Sequence, residues 1–165
     1  MPQTVSILFV CLGNICRSPL AKGVLMHQAR QRAMLDALRI DSCGTGHWHA
    51  GGPADPRTML VAARNGVQFE HTARQLNPAR DFADFDYILP MDAQNMRDLH
   101  RLGAPPHKVH LFRTFDPALA SAPEHALAVP DPYTGDERAF QQVFDMVWAA
   151  GNGLLDQLSR LPDVP

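Results

Sequence analysis

The amino-acid sequence predicts an α/β fold: a three-layer sandwich in which a four-stranded parallel sheet carries helices on both faces. Apolar segments rich in β-branched residues alternate along the chain with segments of helical periodicity, which is the pattern of parallel strands joined by helices. The length of 165 residues suits a single domain, which we expect to span residues 1–165. An apolar content of 45% and a charged content of 19% are typical of a globular protein.

Four short segments are predicted to form the strands. Residues 5–10 (VSILFV) are almost continuously apolar, as expected for a strand that is buried on both faces. The other predicted strands are residues 38–42, residues 85–91 (FDYILPM) and residues 108–112 (KVHLF). In folds of this class ligands bind beyond the carboxyl ends of the strands, so the residues that follow the first strand are the first place to search for a site.

Helices are predicted between these strands. Ser18 and Pro19 have the character of an N-cap and a first helical position, and the helix continues over residues 19–35. Residues 55–66 predict a second helix, which opens at Asp-Pro and closes at glycine. Asp92 is predicted to cap a third helix that runs to about residue 102.

The last predicted helix is the clearest. From Phe140 to Leu161 its apolar residues recur at spacings of three and four. Gly151 and Gly153 are expected to weaken it by about 1 kcal/mol each relative to alanine, and they would allow a kink there. The proline-rich residues 115–133 are predicted to form a long loop within the domain.

Charge and cysteine content exclude several classes of protein. A formal net charge of -2 disfavours a general binder of nucleic acid or of membrane surfaces, because such proteins carry a basic face. Three cysteines without framework spacing disfavour a disulfide scaffold and favour a reducing compartment, so we expect a cytoplasmic protein. Residues 1–6 contain no basic residue and the apolar run 7–12 is too short to span a membrane, so we expect neither a signal peptide nor a membrane anchor.

The stretch FVCLGNICRSPLA, residues 9–21, has the composition of an anion-binding loop. Five residues separate Cys11 from Arg17, and the loop leads from a strand into a helix N-terminus, where backbone N–H groups and the helix dipole attract an anion. Gly13 or Asn14 can adopt the positive φ that such a loop requires. The planar fork of Arg17 matches two oxygens of a phosphate.

Cys11 then lies at the base of this loop, in a field that favours thiolate over thiol. A thiolate that faces a held phosphate is a nucleophile aimed at phosphorus, and the loop can stabilise the transferring phosphoryl group. A lone cysteine at a strand end would more simply be a small buried apolar residue, but the surrounding loop favours the nucleophile. Ser18 has two interpretations, and both can hold: it caps the helix, and its hydroxyl donates to the thiolate, which makes the thiolate a better leaving group.

The motif VCLGNICRSP resembles the active-site loop of the low-molecular-weight protein tyrosine phosphatases. The resemblance continues through DSCGTGHWHAGGPADPR, HTARQL, DFADFDYILPMD and DPYTGDERAF, in family order. It implies a phosphotyrosine phosphatase I-like fold and hydrolysis of protein phosphotyrosine through a phosphocysteine on Cys11. It also implies that Arg17 and the backbone of the loop bind the phosphate; the phosphate-binding residues are Leu12, Gly13, Asn14, Ile15, Cys16, Arg17 and Ser18.

The resemblance further implies a general acid and an aromatic cleft. Asp131 would protonate the leaving tyrosyl oxygen and then act as base toward water. The sequence alone does not single out this residue, because Asp55, Asp116 and Asp131 all precede proline and Asp-Pro usually marks a turn. Trp48 and Tyr133 would form the two aromatic walls around a phenyl ring.

Three residues match positions that brace the phosphate loop in the family: Asn14, Ser42 and His71. Cys16 either fills a place on the loop or traps an oxidised Cys11 as a disulfide, which prevents irreversible overoxidation, and the resemblance supports the second role. Cys43 is expected to be a small buried residue, and a redox role for it stays open.

No metal site and no cofactor is predicted, because Cys11 and Cys16 with His47 and His49 do not form a recognised zinc spacing. The two histidines are expected at the rim of the cleft. The expected partner is a phosphotyrosine-containing protein; family analogy suggests a bacterial exopolysaccharide tyrosine kinase or a host protein. We expect a monomer or a weak dimer.

Three alternative functions follow from the same residues. An arsenate reductase of this fold needs further cysteines late in the chain, and the last cysteine here is Cys43. A protein-arginine phosphatase of the family favours threonine at the position of Ile15, where an isoleucine methyl crowds a planar guanidinium. A phosphate-binding module without turnover is disfavoured because Cys11, Arg17 and Asp131 are all present.

Overall fold

β1 is the central strand of a parallel sheet. The computed structural model describes residues 4–161, and within them β1 (Val5–Cys11) pairs with β2 (Leu38–Gly44) on one side and β3 (Tyr87–Pro90) on the other. Phe9 lies opposite Ser42 in one neighbour and Leu89 in the other. The apolar run of β1 is explained by this position, because side chains on both of its faces are fully buried.

The predicted fourth strand, residues 108–112, forms a single parallel bridge between Val109 and Ile88. A turn of 3-10 helix precedes it at Pro106–Lys108 and another begins at Phe112, so little extended backbone remains between them. The α/β class is therefore confirmed, with three strands in the described part of the chain where four were predicted.

Five α-helices accompany the sheet: α1 (Arg17–Gln31), α2 (Pro56–Arg64), α3 (Pro78–Asp84), α4 (Ala93–Arg101) and α5 (Glu137–Leu158). Asp55 and Asp92 cap α2 and α4 as predicted, each accepting a hydrogen bond from a backbone N–H of the first turn. The seven-residue α3 was not predicted, because it is too short to show a periodic apolar pattern.

The predicted N-cap of α1 is wrong. The cap position is Cys16, and Ser18 lies inside the first turn with its hydroxyl directed toward Cys11. The helix also ends four residues earlier than predicted, because Ala33 has a φ of 56° and the N–H of Met34 returns to the carbonyl of Ala29.

The helices cover both faces of the sheet, which confirms the three layers. Alternate residues of β1 face opposite sides: Ile7 and Phe9 join a core with α1 and α5, and Leu8 and Val10 join a second core that includes residues of α3 and α4. β1 is thereby buried on both sides, and its carboxyl end presents Cys11 at the edge of the sheet.

The two glycines of α5 mark close packing. A β-carbon on Gly153 would collide with the backbone carbonyl oxygen of Phe115, and one on Gly151 would meet the amide of Gln28. The two glycines lower the helix propensity of α5, but they allow the neighbouring segments to approach the helix closely. Among residues 4–161 no helix has the length and apolarity that crossing a membrane requires.

Candidate active site

The loop between β1 and α1 closes around the sulfur of Cys11. Asn14 has a φ of 56°, so it, and not Gly13, adopts the left-handed conformation. This conformation directs the backbone N–H of Asn14 at the Cys11 Sγ, with an N–S distance of 3.3 Å. The sulfur of Cys11 therefore accepts a hydrogen bond from the backbone of its own loop.

Ser18 is the second group in contact with the sulfur. Its Oγ lies 3.0 Å from the Cys11 Sγ and accepts a hydrogen bond of 2.9 Å from the Nδ2 of Asn14. Because the Ser18 oxygen accepts a hydrogen bond from Asn14, its own hydroxyl hydrogen can be directed at the sulfur. Of the two interpretations of Ser18, the geometry thus favours the donor to Cys11.

Asn14 is the centre of the brace expected from the sequence. Its Nδ2 also donates to the Oγ of Ser42 at 3.0 Å, and its backbone carbonyl lies 2.8 Å from the Nε2 of His71. Burial lowers the pKa of His71, which favours a neutral ring whose Nε2 carries the proton toward Asn14. The structure therefore brings Asn14, Ser42 and His71 together.

Arg74 completes this brace and was missed in the sequence. Its backbone N–H donates to the Oδ1 of Asn14 at 2.9 Å, and its guanidinium pairs with Asp41 and with the buried Asp81. Gly44 was missed as well: a β-carbon there would lie 2.7 Å from the carbonyl oxygen of Leu12. The residues around Arg74 do not indicate its hydrogen bond to Asn14, because Asn14 lies 60 positions earlier in the sequence.

Two hydrogen bonds hold Arg17 at the base of the loop. Its Nη1 donates to the Oδ2 of Asp92 at 2.6 Å and to the carbonyl of Val129 at 3.0 Å. Burial lowers its pKa, but the negative charges of Cys11, Asp92 and Asp131 outweigh this effect, so the pKa is raised and the group stays charged. Asp92 was predicted only as a helix cap, although its place after the carboxyl end of a strand could have indicated a site residue.

A cavity of about 200 Å³ opens above the loop. Two exposed aromatic side chains flank it: Trp48 is 66% exposed and Tyr133 is 50% exposed. His47 stacks on Trp48, with ring centroids 5.6 Å apart, and Gly46 leaves room for the Trp48 ring. The lining residues are Cys11, Leu12, Gly13, Ile15, Cys16, Arg17, Trp48, His49, Asp131 and Tyr133.

The geometry separates the three Asp-Pro candidates. Asp55 forms an ion pair with Arg57, and the buried Asp116 caps a turn by accepting from the N–H of Ala118. Asp131 lines the cavity, its carboxylate 48% exposed and 3.8 Å from the Nη2 of Arg17. Asp131 is therefore the Asp-Pro carboxylate placed to exchange a proton with a molecule in the cavity.

The remaining thiols differ from Cys11 in their surroundings. Cys16 lines the cavity beside Asp55, with its Sγ 3.9 Å from the Oδ2, and burial together with Asp55 raises its pKa to about 12. At neutral pH Cys16 is therefore mainly a thiol, which is a much weaker nucleophile than a thiolate. Cys43 is fully buried in the core with Leu8 and Val10, and burial raises its pKa well above the ordinary value.

This arrangement can bind a tetrahedral anion and attack it. Cys11 lies at the base of the cavity, Arg17 and the loop supply positive charge, and Asp131 stands toward the opening. A nucleophile, an anion cradle and a proton donor on one cavity are the components of phosphoryl transfer through a covalent intermediate. Within residues 4–161 no group of three or more His, Cys, Asp or Glu side chains is arranged to hold a metal ion.

Comparison with known proteins agrees with this chemistry. The family model for low molecular weight phosphotyrosine protein phosphatase matches residues 6–162. A low molecular weight protein-tyrosine-phosphatase of Streptomyces coelicolor is 41% identical over 156 residues, which cover 93% of each chain.

Solved structures extend the comparison. A protein tyrosine phosphatase from Entamoeba histolytica superposes with a TM-score of 0.85 at 33% identity and covers 94% of this chain and 97% of its own. A Drosophila arginine phosphatase superposes with a TM-score of 0.82 at 28% identity and covers 95% of this chain and 99% of its own. The match over nearly the whole chain and the geometry of the Cys11 loop lead to one conclusion: this protein belongs to the low molecular weight phosphotyrosine protein phosphatase family.

Proposed function

We propose that the protein hydrolyses phosphotyrosine in proteins through a phosphocysteine intermediate on Cys11. The observation that carries this proposal is the convergence of Cys11, Arg17 and Asp131 on one cavity whose opening is flanked by aromatic rings. Family membership supports the same activity.

In the first step the phosphate occupies the loop, held by Arg17 and the backbone N–H groups of residues 12–18. The Cys11 thiolate attacks phosphorus, the S–P bond forms and the P–O bond to the tyrosyl oxygen breaks. Asp131 gives its proton to that oxygen, so the product leaves as a phenol and not as a phenolate. Arg17 contacts both carboxyl groups of the site, with Asp92 at 2.6 Å and Asp131 at 3.8 Å.

In the second step Asp131 removes a proton from a water molecule as the water oxygen attacks phosphorus. The S–P bond breaks, inorganic phosphate forms and Cys11 returns as a thiolate. Ser18 and the N–H of Asn14 stabilise the departing sulfur, because both lie within hydrogen-bond distance of it.

The shape of the cavity supports phosphotyrosine over phosphoarginine as the substrate. Trp48 and Tyr133 form walls that suit a flat phenyl ring. Ile15 also lines the cavity, where its branched side chain would crowd a planar guanidinium. The Drosophila neighbour is named an arginine phosphatase, so phosphoarginine is the alternative substrate to test.

The test is phosphate release from a phosphotyrosine peptide and from a phosphoarginine peptide of the same sequence, with the wild type and Cys11→Ser in parallel. We expect turnover of phosphotyrosine by the wild type and none by Cys11→Ser, whose fold is checked by circular dichroism. Preference for phosphoarginine would show that the interpretation of Ile15 is wrong. Absence of turnover for both peptides would contradict the proposed function.

Finer features of this function are also proposals. A bacterial tyrosine kinase or a host protein is the expected substrate. The three free thiols are consistent with a reducing, cytoplasmic environment, and we expect one domain that acts as a monomer or a weak dimer. Size measurements at several protein concentrations would test the last point.

A further inference from the structure

Arg57 lies outside the cavity but is tied to the phosphate loop through Asp55. It is the second residue of α2, and its guanidinium forms a forked pair with that carboxylate, with distances of 3.0 Å (Nε–Oδ1) and 2.8 Å (Nη2–Oδ2). The backbone N–H of Asp55 donates to the carbonyl of Ile15 at 2.9 Å. Hydrogen bonds from Arg57 lower the pKa of Asp55, so the pair stays charged.

On its other side Arg57 contacts the segment that carries the proposed general acid. Its guanidinium carbon lies 5.5 Å from the ring centroid of Tyr133 and 4.6 Å from that of Phe140, both within the range of a cation–π interaction. Its Nη1 is 3.5 Å from the carbonyl oxygen of Gly135. Arg57 therefore connects the phosphate loop with residues 131–135 and with the first turn of α5.

Asp131 depends on its segment for its position. Its Oδ1 accepts a hydrogen bond of 3.1 Å from the N–H of Tyr133, so the orientation of the carboxylate follows the backbone that Arg57 contacts. The carboxylate is half exposed and lies 3.8 Å from the Nη2 of Arg17, a longer distance than the other contacts of that guanidinium. A proton donor that is displaced by about 1 Å loses much of its effect.

We propose that Arg57 is a positioning residue: paired with Asp55, it holds Tyr133 and Gly135 so that Asp131 stands at the leaving oxygen. This inference rests on the proposed function, because it assigns Arg57 a role in the proton transfer of the first step. It also requires that loss of Arg57 affects substrates unequally, because a poor leaving group needs the proton and a good one does not.

The test compares kcat/KM for phenyl phosphate, a poor leaving group, with kcat/KM for dinitrophenyl phosphate, a good one. For Arg57→Met we expect kcat/KM to fall about tenfold with phenyl phosphate and to change little with dinitrophenyl phosphate. A tenfold loss is part of the roughly hundredfold acceleration that general acid catalysis supplies. Asp131→Asn should show the same pattern with a larger loss. Arg57→Lys, which keeps the charge without the fork, should fall between Arg57→Met and the wild type.

Arg64→Met is the matched control. Arg64 is the last residue of the same helix and pairs with Glu137 at the surface, at 3.3 Å, so its loss should leave both substrates unaffected. An equal loss of kcat/KM for both substrates in Arg57→Met would overturn the inference, because it would indicate a general structural defect. Unchanged rates for both substrates would also overturn it.

Hydrogen exchange gives a second measurement that does not depend on activity. Arg57→Met should accelerate exchange of the Tyr133 amide, which donates to Asp131, and leave the amides of β1 unchanged. Unchanged exchange at Tyr133 would overturn the positioning role even if turnover fell. Absence of turnover in the wild type would instead contradict the proposed function and, with it, the catalytic part of this inference.

Discussion

The Nη1 of Arg17 and the Oδ2 of Asp92 lie 2.6 Å apart, a short contact between a buried guanidinium and a carboxylate at the start of α4. The other oxygen of Asp92 accepts from the N–H of Asn95 at 2.8 Å, and the Oδ1 of Asn95 accepts from the N–H of Asp92 at 3.2 Å. This capping box fixes the carboxylate, and the carboxylate in turn fixes Arg17 toward the cavity. A helix cap thus serves as part of the candidate active site.

Asp92→Asn should lower kcat/KM for a phosphotyrosine peptide. An amide can still accept from the Asn95 N–H, but the charge-assisted bond to Arg17 is lost. Such a bond contributes about 1.5–3 kcal/mol, which corresponds to roughly a 10- to 100-fold decrease. Asp84→Asn, at the exposed end of α3, is the control. Equal rates for the two variants would contradict a role for Asp92 in holding Arg17.

Asn14→Ala should be less stable than Asn14→Gly. Both substitutions remove the side-chain hydrogen bonds to Ser18, Ser42 and Arg74, which contribute about 1 kcal/mol each. Only alanine adds the strain of the left-handed backbone, roughly 1–2 kcal/mol. Urea unfolding of both variants measures the difference, and a more stable alanine variant would show that the φ of 56° is not required in solution.

The stability of the protein should fall below pH 6.5 in a way that depends on His71. Burial lowers the pKa of His71 in the folded state from its ordinary value of 6.5. The unfolded chain therefore binds the proton first, and stability present above about pH 6.5 is lost as the pH falls toward the folded-state pKa.

His71→Gln removes this titration but keeps an N–H donor for the carbonyl of Asn14. The free energy of unfolding, measured at about pH 7.5 and about pH 5, should fall less in this variant than in the wild type. His107→Gln, at an exposed position, should follow the wild type. An identical pH dependence in the wild type and His71→Gln would rule out this contribution.

Cys16→Ser should lose the ability to recover from peroxide. Peroxide oxidises the Cys11 thiolate to a sulfenic acid; the Cys16 sulfur then attacks it, the S–S bond forms and water leaves. Added thiol reduces this disulfide and restores the wild type, whereas Cys16→Ser should accumulate sulfinic acid on Cys11, detected by mass spectrometry. Cys43→Ala should behave as the wild type, because Cys43 is buried in the core. Full recovery of Cys16→Ser would refute protection by Cys16.

Gly153→Ala should destabilise the protein even though alanine favours a helix by about 1 kcal/mol. The new methyl group would collide with the backbone carbonyl of Phe115, and overpacking of this kind costs about 1–3 kcal/mol. Gly151→Ala should cost less, because it meets the side-chain amide of Gln28, which can rotate away. Thermal unfolding of both variants tests this order, and a stabilised Gly153→Ala would show that α5 does not pack closely at this point.

The sequence by itself determined the features that local physics controls. The apolar run of β1, the caps at Asp55 and Asp92 and the apolar periodicity of α5 each depend on neighbouring residues. The Cys11–Arg17 loop is local in the same sense, since its nucleophile and its anion-binding fork lie within one short segment between a strand and a helix.

Only the tertiary structure decided which distant residues serve that loop. The three Asp-Pro pairs are alike in local sequence. In the fold Asp131 lines the cavity, whereas Asp55 pairs with Arg57 and Asp116 caps a turn. Asp92 meets Arg17 across 75 positions of sequence, and the Arg74 N–H meets Asn14 across 60. Such contacts arise from the packing of whole helices and strands, and the identity of the residues nearby in sequence does not encode them. The fourth strand was lost for a different, local reason: the flanking 3-10 turns at Pro106–Lys108 and Phe112–Phe115 restrict the extended backbone to a single bridge.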